Sequence, residues 1–394
     1  MSERNGSAAW LRHFVPRLAL TLLSVVVALL AIEGALRVRQ LIKHRTTSVT
    51  LYTFIKDPRT DLSIPRPRLD TGHIRIDSRG FRNPEIQMPK PRGRIRLAFL
   101  GASTTFCAEV SSNEATWPDQ IARALSERYR GVTFDYINAA VPGYKLSHSL
   151  KNLRLRVATL EPDFVLYYEA TNDLAKDTRE LAIREGLFTD RSDKPPTGLA
   201  RISIAYYLIQ KNLLIRERAR RERPGLTKLQ FNADSLAGGF EQGLVGFLRA
   251  ARQVAPVVAV ATFSHKVRRS QPPEVQLRAC TLNLYWMPFM SVEGFLDAWD
   301  AYNRAIRAAA RESGAILIEG EDSIPGDDAH FVDSIHFSDT GATLMSDRVV
   351  RALVASPEFN QLVESRGGHA LAATPRARAP YRQEPERSER RHHP

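Results

Sequence analysis

The chain has 394 residues, 43% hydrophobic and 25% charged, a balance that can bury one sizeable core and argues against a disordered or fibrous chain. The net charge of +13 gathers at the ends: seven Arg/Lys face two Glu in residues 1–45 and six Arg face three Glu in residues 367–394, leaving +5 between them. With no recognisable nucleic-acid module, that distribution points away from nucleic acid as a partner. Two cysteines, Cys107 and Cys280, are too few for a disulfide framework and stand in no metal-ligand spacing.

A short basic segment, residues 1–17, precedes a run from Leu18 to Ile32 that carries no charge, and residues 18–38 have about the length that crosses a bilayer. Glu33 is the single acidic interruption, near one end of the span, where a carboxylate reaches headgroups at low cost. Arg12, His13 and Arg17 lie before the run and Arg37, Arg39, Lys43, His44 and Arg45 after it, so counting charges does not orient it. A cleaved signal peptide is the competing reading, but no Ala-x-Ala site follows. The expectation is an uncleaved single-pass anchor, amino terminus inside, with the rest of the chain outside the cytoplasm.

Residues 39–93 read as a juxtamembrane and packing segment. Beyond them, short β-branched and aromatic runs alternate with amphipathic stretches, as in βα units around a parallel sheet. The predicted strands are Ile95–Leu100, Thr133–Asn138, Phe164–Tyr168, Val257–Thr262 and Ala315–Ile318; the predicted helices are Trp117–Tyr129, Ser147–Leu160, Ser235–Gln253, Glu293–Ser313 and Thr340–Leu353. The fold class is therefore α/β, a three-layer α/β/α sandwich with about five parallel strands, filling residues 94–366 after one transmembrane helix. Two insertions interrupt it. Residues 174–231 contain the basic run RERARRERPG, an expected solvated face, and residues 264–292 contain LNLYWMPFM, either a lid or acyl-binding wall or an ordinary packed loop. Residues 367–394, rich in Pro, Arg and Glu, read as a disordered tail.

Ligands of such sheets bind beyond the carboxyl ends of the strands. There the sequence places Gly101-Ala102-Ser103-Thr104-Thr105 after the first strand, Asn138-Ala139-Ala140-Val141-Pro142-Gly143 after the second, and Glu169-Ala170-Thr171-Asn172-Asp173 after the third. Asp333-Ser334-Ile335-His336 precedes the last helix. Each block alone has an ordinary reading as a cap or turn; the joint order is what gathers them into one site. His148, His265 and His330 are left as structural or surface residues.

In that order the chain resembles the SGNH (GDSL-like) hydrolase family, over roughly residues 94–355, and Ile74–Arg82 resembles a segment preceding the catalytic domain in membrane-anchored members, with a packing role. The resemblance implies the flavodoxin-like SGNH fold, Ser103 as nucleophile, Asp333 and His336 as its partners, and an oxyanion hole built from Ser103, Gly143 and Asn172. Ala102 stands where the family usually has Asp, and Ala170 where it usually has Gly; neither change removes a reacting group. The implied activity is a carboxylic ester hydrolase working through an acyl-serine on an ester or acylated glycan or lipid of the cell envelope, without metal or cofactor. An O-acyltransferase acting on a polysaccharide and a non-catalytic envelope binding module are the alternatives. The implied location is the inner membrane, with the catalytic domain periplasmic.

Overall fold

The computed structural model describes residues 4–44, 53–188, 198–210, 213 and 227–371. The first helix, α1 (Arg4–His44), contains the apolar stretch Phe14–Ile42, long and apolar enough to cross a membrane and not buried against the rest of the protein. At about 1.5 Å per residue, α1 is roughly twice as long as a hydrocarbon core is thick. An antiparallel pair, β1 (Phe54–Lys56) and β2 (Ser63–Pro65), leads into the main domain.

The sheet that organises this domain has the order β5-β3-β6-β7-β8 and is parallel throughout: β3 (Arg94–Gly101), β5 (Thr133–Asn138), β6 (Phe164–Tyr168), β7 (Val257–Ala261) and β8 (Ile316–Ile318). Each was predicted to within about a residue. Apolar runs without alternation mark β6 and β7 as covered on both faces, and Leu97, Ala98, Phe99 and Leu100 of β3 are fully buried. Register is pinned where Arg96 stands beside Asp135: the guanidinium, buried in mid-strand, donates Nε and Nη2 to that carboxylate at 2.9 Å each.

Helices cover the two faces. After β3 come the short α2 (Ser103–Phe106) and α3 (Trp117–Arg128), whose Thr116 cap accepts from Asp119 N–H. A short strand, β4 (Tyr129–Arg130), follows. The predicted helix Ser147–Leu160 is broken: α4 (Leu146–Asn152) gives way to a π turn over Leu153–Val157 and a 3-10 turn over Ala158–Leu160. The reason is local bonding, since Asn152 Nδ2 donates to Ala139 O at 2.8 Å and Arg156 Nη1 to Asn152 Oδ1 at 2.9 Å, which turns Arg156 inward.

Within the stretch read as an insertion at 174–231, α5 (Thr171–Arg184) is a regular helix, and the RERARRERPG run lies outside the described residues. Further on, α6 (Ala233–Arg252) precedes β7, and the second insertion holds α7 (Pro273–Ala279) and α8 (Thr281–Trp286). Its Leu284, Met287, Phe289 and Met290 are buried, so this stretch is packed. The helix α9 (Val292–Ser313) packs on α6, while α10 (Asp339–Ala355) packs on α3 and leads to α11 (Pro357–Ser365). A final strand, β9 (His369–Ala370), pairs antiparallel with β4. Residues 367–371 therefore belong to the ordered domain, against the expectation of a tail beginning at 367; residues 372–394 lie outside the described residues.

Candidate active site

Because β5 and β6 flank β3, the loops that follow these three strands lie side by side at one edge of the sheet. Gly101 ends β3 at φ +152°, and a Cβ there would stand 2.2 Å from the Tyr168 carbonyl oxygen and 2.6 Å from Thr105 Oγ1. Only glycine lets the chain turn this close to β6. Ala102 is fully buried among Leu62, Ile64, Val141 and Tyr144, a setting in which an ionised side chain would be desolvated without a partner. The departure from Asp thus comes with an apolar environment. Thr105 Oγ1 donates to Tyr168 O at 2.9 Å and Trp117 Nε1 to Thr104 O at 3.0 Å, fixing the turn that begins with the partly exposed Ser103.

The segment Ile74–Arg82 packs against this turn. The fully buried Arg82 donates Nη1 to the carbonyls of Phe106 and Cys107, Nη2 to those of His73 and Ser112, and Nε to Asn113 Oδ1. Its guanidinium also lies 5.2 Å from the Phe106 ring centroid. One cation therefore satisfies the carbonyls at the end of α2.

Opposite Ser103 stands the loop before α10. His336 Nε2 is 2.8 Å from Ser103 Oγ, and His336 Nδ1 is 2.7 Å from Asp333 Oδ2. The other Asp333 oxygen accepts from the N–H groups of Ile335 at 3.0 Å and His336 at 2.9 Å, so the carboxylate is held by the turn it belongs to. The loop is braced in turn by the second insertion: Leu282 N–H donates to Ser334 Oγ at 3.1 Å, and Lys266 N–H to Ser334 O at 2.9 Å.

Gly143 and Asn172 sit on the flanking loops. Gly143 adopts φ +81° in an exposed turn with open space where a Cβ would be, and its N–H has no protein acceptor among the described residues. Asn172, in the first turn of α5, donates Nδ2 to Tyr144 O at 2.9 Å and its N–H to Glu169 Oε1 at 2.8 Å. The amide thereby joins the second loop to the third. The histidines set aside in the sequence lie elsewhere: His148 accepts from Lys145 N–H, His265 is buried and stacked on Trp299, and His330 pairs with Asp327.

Two carboxylates here were not assigned a role from the sequence. Glu109 lies with Oε1 3.9 Å from His336 Nδ1. The buried Glu169 accepts from Thr104 Oγ1 at 3.3 Å as well as from Asn172. Glu169 was visible in its block, but a Glu beside an Asn gives no signal of burial; Glu109, six positions after a serine, gives none at all. Burial opposes a charged His336, yet Glu109, Asp333 and Glu169 together outweigh it and push the imidazole up to about 9. Burial raises Glu109, and burial aided by Asp173 pushes Glu169 up to about 7. Asp333 is held below the usual carboxylate range despite its burial, through the hydrogen bond and charge of His336. A hydroxyl bonded to an imidazole whose far nitrogen is held by a carboxylate is an arrangement that can act as a nucleophile with a base in place to take its proton.

The sequence profile described as the GDSL-like lipase/acylhydrolase family matches residues 99–344, which span β3 to α10 and so enclose Ser103, Gly143, Asn172, Asp333 and His336. The chain belongs to the GDSL-like lipase/acylhydrolase family. It is accordingly a carboxylic ester hydrolase with the fold of that family. Comparison with curated protein sequences finds no match. Among solved structures, this GDSL-like chain is similar to Axe2, an acetylxylan esterase from Geobacillus stearothermophilus, at 12% identity and TM-score 0.41, over 67% of this chain and 95% of that one. It is also similar to LAE5, an alpha/beta hydrolase enzyme from the metagenome of Lake Arreo, Spain, at 12% identity and TM-score 0.40, over 66% of this chain and 94% of that one. The family assignment rests on the profile match.

Proposed function

We propose that the protein is a membrane-anchored serine esterase that cleaves O-acyl groups from an envelope glycan or lipid through an acyl-Ser103 intermediate. The observation that carries this reading is the continuous chain Ser103 Oγ–His336 Nε2 at 2.8 Å and His336 Nδ1–Asp333 at 2.7 Å. His336 takes the hydroxyl proton as Ser103 Oγ bonds to the ester carbonyl carbon, and Asp333 keeps the ring in the tautomer that leaves Nε2 free to accept. The oxyanion is met by the N–H groups of Ser103 and Gly143 and by the Asn172 amide. Collapse expels the alcohol, which receives the proton from His336; water then repeats the sequence on the acyl-serine and releases the acid. Every group needed is a side chain or backbone N–H of this chain.

The anchor reading rests on α1, whose apolar stretch Phe14–Ile42 has no residue of its most apolar window buried by the folded domain. It implies a single inner-membrane span with the catalytic domain on the periplasmic side, next to envelope esters. The experiment is to incubate the full chain in detergent with a fluorophosphonate probe, and separately with acetylated glycans and short-chain aryl esters, measuring labelling and acid release. Labelling of wild type but not Ser103→Ala, with acid released, is the expected result; no labelling of wild type would sink it. Acyl groups appearing on an added sugar instead of as free acid would make the protein an acyltransferase.

A further inference from the structure

Glu33, the acidic residue in the apolar stretch of α1, is fully engaged by a distant part of the chain. Its Oε2 accepts from Ser203 Oγ at 2.9 Å and Ala205 N–H at 3.0 Å, and its Oε1 from Ile204 N–H at 3.1 Å and Arg37 Nε at 2.8 Å. Arg37 Nη2 donates on to Ile202 O. The carboxylate thereby caps the first turn of helical residues 204–210. On α1 the partly covered positions are Glu33, Leu36, Arg37 and Gln40, spaced as one helix face, while the positions between them are exposed. The chain around residue 204 therefore docks on one side of α1 and leaves the other sides open.

This docked segment is itself apolar on the outside. Leu199, Ile202, Tyr206, Leu208, Ile209 and Leu213 are each between 39% and 64% exposed, whereas Ile204 is buried. So many large exposed apolar side chains within fifteen positions mark an interaction surface. We infer that residues 199–210, with Leu213, form a second membrane-contacting segment, lying at the headgroup boundary of the bilayer that α1 crosses and tied to α1 through Glu33. This rests on the reading of α1 as a span.

Lipid is the occupant because the surface continues that of α1, whose bare apolar stretch needs the same partner. The height also agrees. Glu33 directly follows the charge-free run Leu18–Ile32, so the tie falls where hydrocarbon gives way to headgroups, the level at which Tyr206 and Tyr207 are also at home. A short segment lying flat with an apolar side is a form that binds interfaces without spanning them. The docked segment follows α5, the helix that begins beside Asn172, so membrane contact on both α1 and this segment holds the domain at two points and limits its rotation over the surface.

The test uses the full chain in vesicles of phosphatidylcholine and phosphatidylglycerol doped with lipid that carries a nitroxide on its acyl chain. An environment-sensitive fluorophore is attached through Ile209→Cys, Leu20→Cys or Ser126→Cys in turn, the two native thiols being buried. Quenching at 209 and 20 but not at 126 is expected. Quenching at 20 without quenching at 209 overturns this inference and leaves the anchor standing; no quenching at either position overturns both. Adding Glu33→Ala should lower quenching at 209 at least twofold with position 20 unchanged, circular dichroism confirming the fold. Unchanged quenching at 209 in that variant would overturn the tie through Glu33.

Discussion

Glu109 Oε1 lies 3.9 Å from His336 Nδ1, the same ring nitrogen that Asp333 holds at 2.7 Å. Two carboxylates thus face one imidazole, and both favour its charged form. His336 can accept the Ser103 proton only when neutral, so kcat/KM should fall as pH drops through its pKa, which stands raised to about 9. Removing the Glu109 charge in Glu109→Gln makes the imidazolium less favourable and lowers that pKa. The acid limb of the pH profile should move to lower pH, with about a tenfold gain in rate on that limb for each unit of displacement. Loss of activity at all pH values with no displacement would instead mean that Glu109 only supports packing.

The sequence contains three Asp-x-x-His pairs; in Asp70/His73 the ring Nδ1 lies 2.9 Å from Ser111 O, whereas in the other two it lies 2.7 Å from the aspartate: Asp327 with His330, and Asp333 with His336. Spacing alone does not distinguish them. What does is the hydroxyl on the far nitrogen, since Ser103 meets His336. His336→Ala should abolish covalent labelling and reduce turnover by ~10³-fold or more, while His330→Ala stays within a few-fold of wild type. The reverse pattern in a side-by-side esterase assay would relocate the base.

How much of this was legible follows from the kind of signal each element carries. The central strands are readable because burial on both faces imposes largely apolar runs such as Phe164–Tyr168 and Val257–Ala261, and the site blocks because they follow those strands. The break after Asn152 was not readable, since Leu153 and Val157 keep a helical apolar spacing and the π turn arises from the side chain of Asn152 reaching Ala139 O. Pairing of His369–Ala370 with Tyr129–Arg130 escaped for a similar reason: two residues of backbone bonding leave no periodicity in the sequence. Nor did Ile74–Arg82 reveal that its last arginine reaches carbonyls of His73, Phe106, Cys107 and Ser112, because a carbonyl acceptor has no residue type.

That arginine gives the third expectation. Arg82→Ala removes the guanidinium from those buried carbonyls, though Asn113 Oδ1 keeps Arg75 N–H and Cys107 O keeps Val110 N–H, at a cost of about 2–4 kcal/mol. Arg82→Lys should recover little of it, because an ammonium cannot spread over the same fork. The surface pair Arg249–Glu312, more than half exposed on both sides, serves as the control: Arg249→Ala should cost under ~1 kcal/mol. Urea denaturation of the three variants measures the contrast, and equal losses for Arg82→Ala and Arg249→Ala would refute the bracing role.

Asn172 carries the last expectation, because it has both a proposed chemical task and a visible structural one. Its amide donates to Tyr144 O and its backbone N–H to Glu169, so the residue links two loops, while the second amide N–H is the one its proposed task requires. Asn172→Ala removes the donor and should slow acylation by ~10²–10³-fold while fluorophosphonate labelling persists at a lower rate. Asn172→Asp keeps the volume but sets a carboxylate against the Tyr144 carbonyl and close to Glu169 and Asp173, two groups that burial already pushes up to about 7 and about 6. It should therefore be slower than Asn172→Ala and also lower the melting temperature, the added charge standing against a carbonyl oxygen and beside two carboxylates. Measuring acylation by stopped-flow and stability by calorimetry separates the two tasks. If Asn172→Ala acylates at the wild-type rate yet melts lower, the amide is a loop tie alone and the oxyanion rests on the backbone N–H groups of Ser103 and Gly143.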